Sequence, residues 1–367
     1  MLSSAERDAD NAVALVLPTK KIVPSDPSRP TVTASVGEAE QAPHAHMEKE
    51  YYDTGALKRV VPLVGGEKHG VEYSYYPNGA LKKEVPYVQG QREGEARLYS
   101  LLGNVKKLST FVADVKQGLA RTYFKHGELK TEGNYEQGER HGELRRFYRN
   151  GKLKAISPFV MGKEHGVRHT YYDSGMLKSR ITYQHGIREG EFMEFFASGQ
   201  VKRKGTYHLG KLHGVCTLFW PQGGRKEEAT YRLNKLHGAF YSYYSQGQLA
   251  HESLYQDDAL TGVSKDFAFE GHIIHEVSYK KGVRQGREKY YHANGMLMLS
   301  TMYRLGKRDG EELYADNTGK VLFTVVYAQG KPVSGKRMDG KAIGQNELRA
   351  WAYSRLLPRP YREQGFN

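Results

Sequence analysis

The chain has 367 residues with 55 Lys and Arg against 41 Asp and Glu, a formal charge of +14, one cysteine, 41 glycines, and 27 Tyr, 13 Phe and 2 Trp. A mean hydropathy of -0.69, with no apolar run near the roughly 20 residues a spanning helix needs, excludes a transmembrane helix. Lone Cys216 excludes an internal disulfide and a cysteine-based zinc site.

Residues 1–46 read as a disordered tether. Pro18, Pro24, Pro27, Pro30 and Pro43, set among Ser, Thr and Ala, leave too little apolar surface to order the segment. It is the acidic part of the chain, so the positive charge falls on the remainder, where it would attract an acidic protein, anionic lipid or nucleic acid. The segment itself does not read as a signal peptide. The expected compartment is the periplasm, if a signal or lipid anchor has been removed, with the cytoplasm as the alternative.

From residue 51 to about 338 the sequence repeats every 24 residues. Glycine recurs at 55, 79, 103, 127, 151, 175, 199, 223, 247, 271, 295 and 319. A second column runs from Gly70 every 24 residues to Gly310, displaced by one to Gly335 in the last unit. A third holds Gly66, Gly90, Gly138, Gly162, Gly186, Gly210, Gly282, Gly306 and Gly330, with Asp114, Asn234 and Asp258 as its exceptions. Asn and Asp are the side chains that best tolerate a left-handed backbone, so this column predicts a turn with positive φ. The Asn-Gly pairs at Asn78-Gly79, Asn150-Gly151 and Asn294-Gly295 signal the other hairpin turn. Two strands per unit and short loops predict an all-β fold: an elongated, twisted, single-layer antiparallel meander of about 24 strands.

Three aromatic columns lie on this frame. One runs Tyr87, Phe111, Tyr135, Phe159, Tyr183 and on to Tyr327, one from Tyr51 to Tyr291, and one comprises Tyr52, Tyr76, Phe124, Tyr148, Tyr172, Phe196, Trp220 and Tyr244. They are expected to stack on one another as packing ladders. His69, His141, His165, His213 and His237 share a column two strands apart, roughly 10 Å, too far for a common metal, and read as turn residues. Lys58, Lys82, Lys106, Lys130, Lys154, Lys178, Lys202 and Lys226 form a basic stripe in units one to eight. Beyond it the column becomes Ala250, Ile274, Met298 and Leu322, which predicts a cover over those four residues. The stripe reads as a solubilising surface or as an electrostatic guide for a negatively charged partner. Cys216 reads as a packed side chain.

The paired aromatics, the "NG-x-LK" turn and the "G-x-x-x-G" turn resemble MORN-variant repeats of bacterial antitoxin-like proteins over residues 51–338. The resemblance implies an immunity protein that neutralises a toxic effector, such as a lipase delivered by type VI secretion. Related eukaryotic repeats imply instead a membrane scaffold on anionic lipid. No nucleophile elbow, His-Glu-x-x-His or phosphate-loop motif occurs, so no enzyme, catalytic residue, cofactor or metal is expected. Departures from the repeat are the expected partner contacts: Leu101, Leu102, Asp114, Trp220, Asp257, Asp258, Phe267 and Phe269. The expected partner is a cognate toxin or effector protein, with an anionic membrane surface as the alternative; nucleic acid is not expected. At the C-terminal end, Leu348, Trp351, Ala352 and Leu356 at helical spacing, stopped by Pro358, predict a helical cap within 341–367 over the apolar column or the open sheet edge.

Overall fold

A computed structural model describes residues 44–348. The tether up to residue 43 and the cap beyond residue 348 lie outside the described residues, Trp351, Ala352 and Leu356 included.

The described chain forms one antiparallel sheet of 29 strand segments. Four are two-residue pieces, Glu67–Lys68, Gln91–Arg92, Lys163–Glu164 and Lys211–Leu212, each one residue short of the strand that follows. The chain therefore crosses the sheet twice per repeat plus once more. The additional strand, Ala45–Tyr51, pairs with Leu57–Val64 and takes in the last residues assigned to the tether. Each strand pairs with its neighbours in sequence, so the sheet stays open, with edges at Ala45–Tyr51 and Lys331–Arg337.

Both predicted turns form, by different geometries. The third glycine column has φ near +80°, and Asp114, Asn234 and Asp258 adopt +67°, +74° and +70° in the same place. The preceding residue is also left-handed in every unit: Gln89 at +47°, Met161 at +46°, Leu209 at +50° and Leu305 at +49°. Two consecutive positive φ values between paired residues such as Val88 and Gln91 make a two-residue type I′ turn, whose twist matches that of the strands. The Asn-Gly turns are not of this type. Asn78 does not have a positive φ, the Gly79 amide donates to the Tyr76 carbonyl at 2.9 Å, and Asn78 Oδ1 accepts the Ala80 amide at 3.2 Å. Only the glycine is left-handed there, which closes a longer loop. The type I′ turns thus line one rim of the sheet, at one set of strand ends, which is called the type I′ edge, and the longer turns line the other, the longer-turn edge.

Two bulges recur in each unit. The second glycine column sits where the pairing skips residues: Ser109 faces Ala120, but Phe111 faces Lys116. Gly335 does not play this part. Its φ is ordinary, and a Cβ there would lie 2.9 Å from Ile343 and 3.2 Å from Leu348, so its missing side chain admits the C-terminal segment. The other bulge lies just after the longer turn. Ser74 faces Lys83 and Tyr75 faces Leu81, which leaves Lys82, a member of the lysine stripe, as the extra residue.

One face buries a column of small and β-branched residues, including Val61, Val85, Ser157, Ala229, Val277, Thr301 and Val325, each no more than 5% exposed. Flanking it is the aromatic column from Tyr87 to Tyr327, of which Phe159, Tyr183, Tyr303 and Tyr327 are buried. These rings do not stack on one another as expected. Residues 24 apart are two strands apart, and the intervening strand places a cation between successive rings. Lys68 lies over Tyr87, Arg92 over Phe111, Arg188 over Tyr207, Arg284 over Tyr303 and Arg308 over Tyr327, at 4.3 to 5.3 Å from ring centre to charge.

Candidate interaction surfaces

The lysine stripe is tied to the third aromatic column. Lys58, Lys82, Lys130, Lys154, Lys178, Lys202 and Lys226 each lie over the ring six residues earlier, at 4.7 to 5.9 Å. Lys106 has Ser100 at that place. As bulged residues these lysines leave the strand's alternation and lie back across the turn. Beneath them, the Tyr52, Tyr76, Tyr148 and Tyr172 hydroxyls each donate to a carbonyl 23 residues on, at 2.7 to 2.8 Å, and clasp one turn to the next. The stripe ends at Lys226, one unit before the last ring of the column, Tyr244. Phe269 covers Tyr244, with ring centres 5.6 Å apart, and Ala268, His292 and Asp316 follow in the ring column. Most of the segment expected to cover the four apolar residues lies beyond residue 348, outside the described residues. Ala250 is buried, Ile274 and Met298 are half-buried, and Leu322 is exposed.

The residues expected to contact a partner divide between the two edges. Leu101 and Leu102 are exposed at a longer turn. Trp220, under Lys226, and Phe269 lie on that same edge, and the Phe267 carbonyl there accepts the Tyr244 hydroxyl at 2.8 Å. Asp114, Asp257 and Asp258 lie on the type I′ edge and are held by neighbours. Asp114 Oδ1 accepts from the Arg92 amide at 3.0 Å and its Nε at 2.8 Å, Asp257 from Arg232 at 2.7 Å, and Asp258 from the Leu236 amide at 2.8 Å. The histidine column also works at this edge. Where it holds Glu93, Gln117, Glu189 or Gln285, the side chain accepts the first turn amide of the next unit at 2.7 to 2.9 Å. His165 meets the His185 ring at 5.1 Å, and His237 Nδ1 lies 3.4 Å from Asp257.

The feature that sequence reasoning missed is the type I′ ridge. Its first turn position demands a left-handed backbone, which Asn, Asp and Gly accept most readily. It instead holds Met161, Leu209, Leu233 and Leu305, which are 54%, 63%, 42% and 79% exposed. Ile187 and Val283 add apolar surface beside the turn tips. A left-handed non-glycine residue costs roughly 1–2 kcal/mol, so these side chains are held against both backbone strain and water. A sequence cannot show this without the turn register, since the apolar residue precedes the glycine that marks the turn.

The face that buries the small-residue column, hereafter the inner face, carries a charged network in the late repeats. His251 Nδ1 and His275 Nδ1 bond the two oxygens of Asp266 at 2.6 and 2.9 Å, and His275 Nε2 lies 3.1 Å from Glu288. Arg284 pairs with Glu288 at 3.3 Å, and the Tyr290 ring stacks on His275 at 4.3 Å. Burial opposes charge on His275, but hydrogen bonds to Asp266 and Glu288 outweigh it and push its pKa up to about 9. Cys216 is buried and accepts a hydrogen bond from Arg203 at 3.2 Å, as a packed side chain. Among the described residues no group of three His, Cys, Asp or Glu is placed to hold a metal.

Seven segments match the family model described as MORN repeat variant: residues 68–89, 116–137, 140–161, 164–185, 188–208, 236–257 and 284–304. These seven segments are repeats of that type. No curated protein matches the chain. Two solved structures, titled crystal structure of TcdB2-TccC3-Cdc42 and structure of the Photorhabdus luminescens Tc holotoxin pore, are each 12% identical and align with 79% of this chain, at TM-scores of 0.17 and 0.16. The aligned part is 19% and 18% of those chains, and scores this low do not amount to a shared fold.

Proposed function

We propose that this repeat protein is a non-enzymatic binding scaffold that docks a protein partner along its type I′ ridge, and that the partner is a toxic effector blocked by occlusion, as in an immunity protein. The observation that carries the docking surface is the set of exposed, left-handed Met161, Leu209, Leu233 and Leu305. They are spaced along a sheet whose successive turns are fixed to one another by backbone bonds, such as the Gly138 amide to the Lys116 carbonyl at 3.0 Å. A surface fixed in advance binds with little ordering cost. Support for a toxin as the partner is the resemblance of the repeats to those of antitoxin-like proteins.

The test replaces the four residues with asparagine in the full chain and co-expresses it with the products of neighbouring genes. The wild type is expected to form a stoichiometric complex that survives high salt. The variant should lose that complex while melting at an equal or higher temperature, because asparagine relieves about 1 kcal/mol of strain at each turn. A complex that the variant forms as well as the wild type would sink the ridge as the docking surface. Binding only to anionic vesicles, abolished by salt, would replace the protein partner with a membrane.

A further inference from the structure

The inner face has a cavity of about 170 Å³ in the early repeats, the volume of five or six water molecules. It opens where the buried column of small residues reaches Gly133. The same column is glycine once more, at Gly205, and there Phe192 fills the gap: a Cβ on Gly205 would lie 2.9 Å from its ring. At Gly133 the residue equivalent to Phe192 is Leu144, which comes within 3.0 Å of where a Cβ would lie but is shorter than Phe, and the space that remains is beside Tyr135 and Phe159.

The walls of this cavity are cationic. Lys107, Lys116 and Arg140 line it, and none of the three forms an ion pair among the described residues. In three other repeats the counterpart of Lys116 and Arg140 is neutralised by a glutamate four residues on: Lys68 by Glu72 at 2.6 Å, Arg284 by Glu288 at 3.3 Å, Arg308 by Glu312 at 3.4 Å; Arg188, followed by Phe192, has no such partner, but there the Phe192 ring fills the space that is open at Gly133. After Lys116 and Arg140 that place holds Ala120 and Leu144. Arg92, followed by Ala96, instead pairs with Asp114 at 2.8 Å. The charged groups that also border the cavity are paired outside it, Arg121 with Glu132 at 2.7 Å and Glu143 with Arg145 at 2.9 Å. His141 Nδ1 lies 3.2 Å from Glu136, off the hydrogen-bonding direction. The Lys116 ammonium is held 3.2 Å above the Tyr135 ring, and Arg140 Nε donates to the Tyr135 hydroxyl at 3.3 Å. Burial, reinforced by the charges of Lys107 and Arg140, holds the Lys116 pKa below the ordinary lysine value. A partly buried cation kept among like charges gains most from an oxyanion, which accepts from several N–H donors at once.

We propose that this cavity binds a phosphate-class oxyanion, free or as the terminal phosphate of a larger ligand, with Lys107, Lys116 and Arg140 as its donors. The site borders the type I′ turns, whose Gly138 and Gly162 amides donate to the Lys116 and Arg140 carbonyls, but it uses none of the four apolar ridge side chains and stands or falls independently of them.

The experiment titrates the full chain with inorganic phosphate by calorimetry, and separately floats it with phosphatidylcholine vesicles with and without phosphatidic acid. The diagnostic variant is Ala120→Glu, which supplies to Lys116 the carboxylate that Glu72 supplies to Lys68 and so should not lower the melting temperature. Lys116→Gln with Arg140→Gln is the second variant, and Lys320→Gln, on the longer-turn edge, is the control. Phosphate binding that weakens at least about tenfold in both cavity variants, and not in the control, supports a free anion. Binding only to phosphatidic acid vesicles, lost in the same variants, supports a lipid phosphate as the source. Failure of the wild type to bind either probe, or binding that Ala120→Glu leaves intact, overturns the proposal.

Discussion

Asp114, Asn234 and Asp258 show how a departure from the repeat serves the repeat. Each keeps the left-handed turn that glycine provides elsewhere and adds a side-chain bond to an amide 22 residues earlier. Their tolerance of positive φ was legible in the sequence, but their second role was not, because it depends on which turn lies beside which. His275 makes the same point with charge. Its folded pKa of about 9 lies above the unfolded value of 6.5, so the stability it contributes is fully present below about pH 6.5 and is lost as pH rises through 9. The expected loss is on the order of 3 kcal/mol, read as a falling urea midpoint between pH 6.5 and pH 10. His275→Gln should be less stable at pH 6 and should flatten that slope. An unchanged slope in the variant would mean that His275 does not carry the charge. In the acid range the sign reverses: Asp266 and Glu288 are held below their ordinary values by these hydrogen bonds, so protonating them as pH falls below about 4 weakens the same repeats.

At the scale of an element, strands and turns could be read from the glycine columns, whereas bulges could not. A residue such as Lys82 sits in a run that would alternate if the pairing were regular, and only the register identifies it as extra. The lysine stripe therefore looked like a free charged surface when most of it lies over rings. The C-terminal segment was expected to cover the apolar column or the open sheet edge, and its described part, up to Leu348, lies at the edge. After Lys331–Arg337 the chain turns back, Lys336 bridges Ala342, and the Ile343 amide donates to the Gly335 carbonyl at 2.9 Å. Leu348, in a helical turn over 345–348, then packs with Ile343 on Val325, Tyr327 and Phe323, and leaves Leu322 exposed. Deleting 341–367 would uncover that cluster and the terminal strand together. Loss of the buried Ile343 and Leu348 side chains is expected to cost about 2–5 kcal/mol, seen as early melting and faster amide exchange confined to residues 297–337. Exchange in that region matching the full chain would show that the segment is not a cap. Single Leu348→Ala in the intact chain should shift it in the same direction by a smaller amount.

For the whole sheet, the consequence of strictly sequential pairing is that stability is a sum over neighbours. Each repeat touches the one before and the one after, through the backbone ladder, the Tyr clasp and the turn-to-turn bonds. Many of the Lys and Arg side chains that carry the net charge lie over the two ring columns, where they pack between strands while keeping their charge. If the period alone sets the contacts, an internal deletion of one full period should leave every column in step. Removing residues 148–171 joins Phe147 to Tyr172 and reproduces the aromatic pair that begins each longer turn. Such a chain should fold, with a circular dichroism spectrum of the same form and a denaturant m-value lower by about one-twelfth, in proportion to the surface lost. A deletion of half a period, residues 148–159, removes one strand and brings two strands of the same direction together. It cannot be bridged by a two-residue turn, and aggregation or loss of the spectrum is the expected result. Equal behaviour of the two deletions would refute the register argument, since both remove contiguous sequence from the same place and differ chiefly in whether the glycine columns remain aligned.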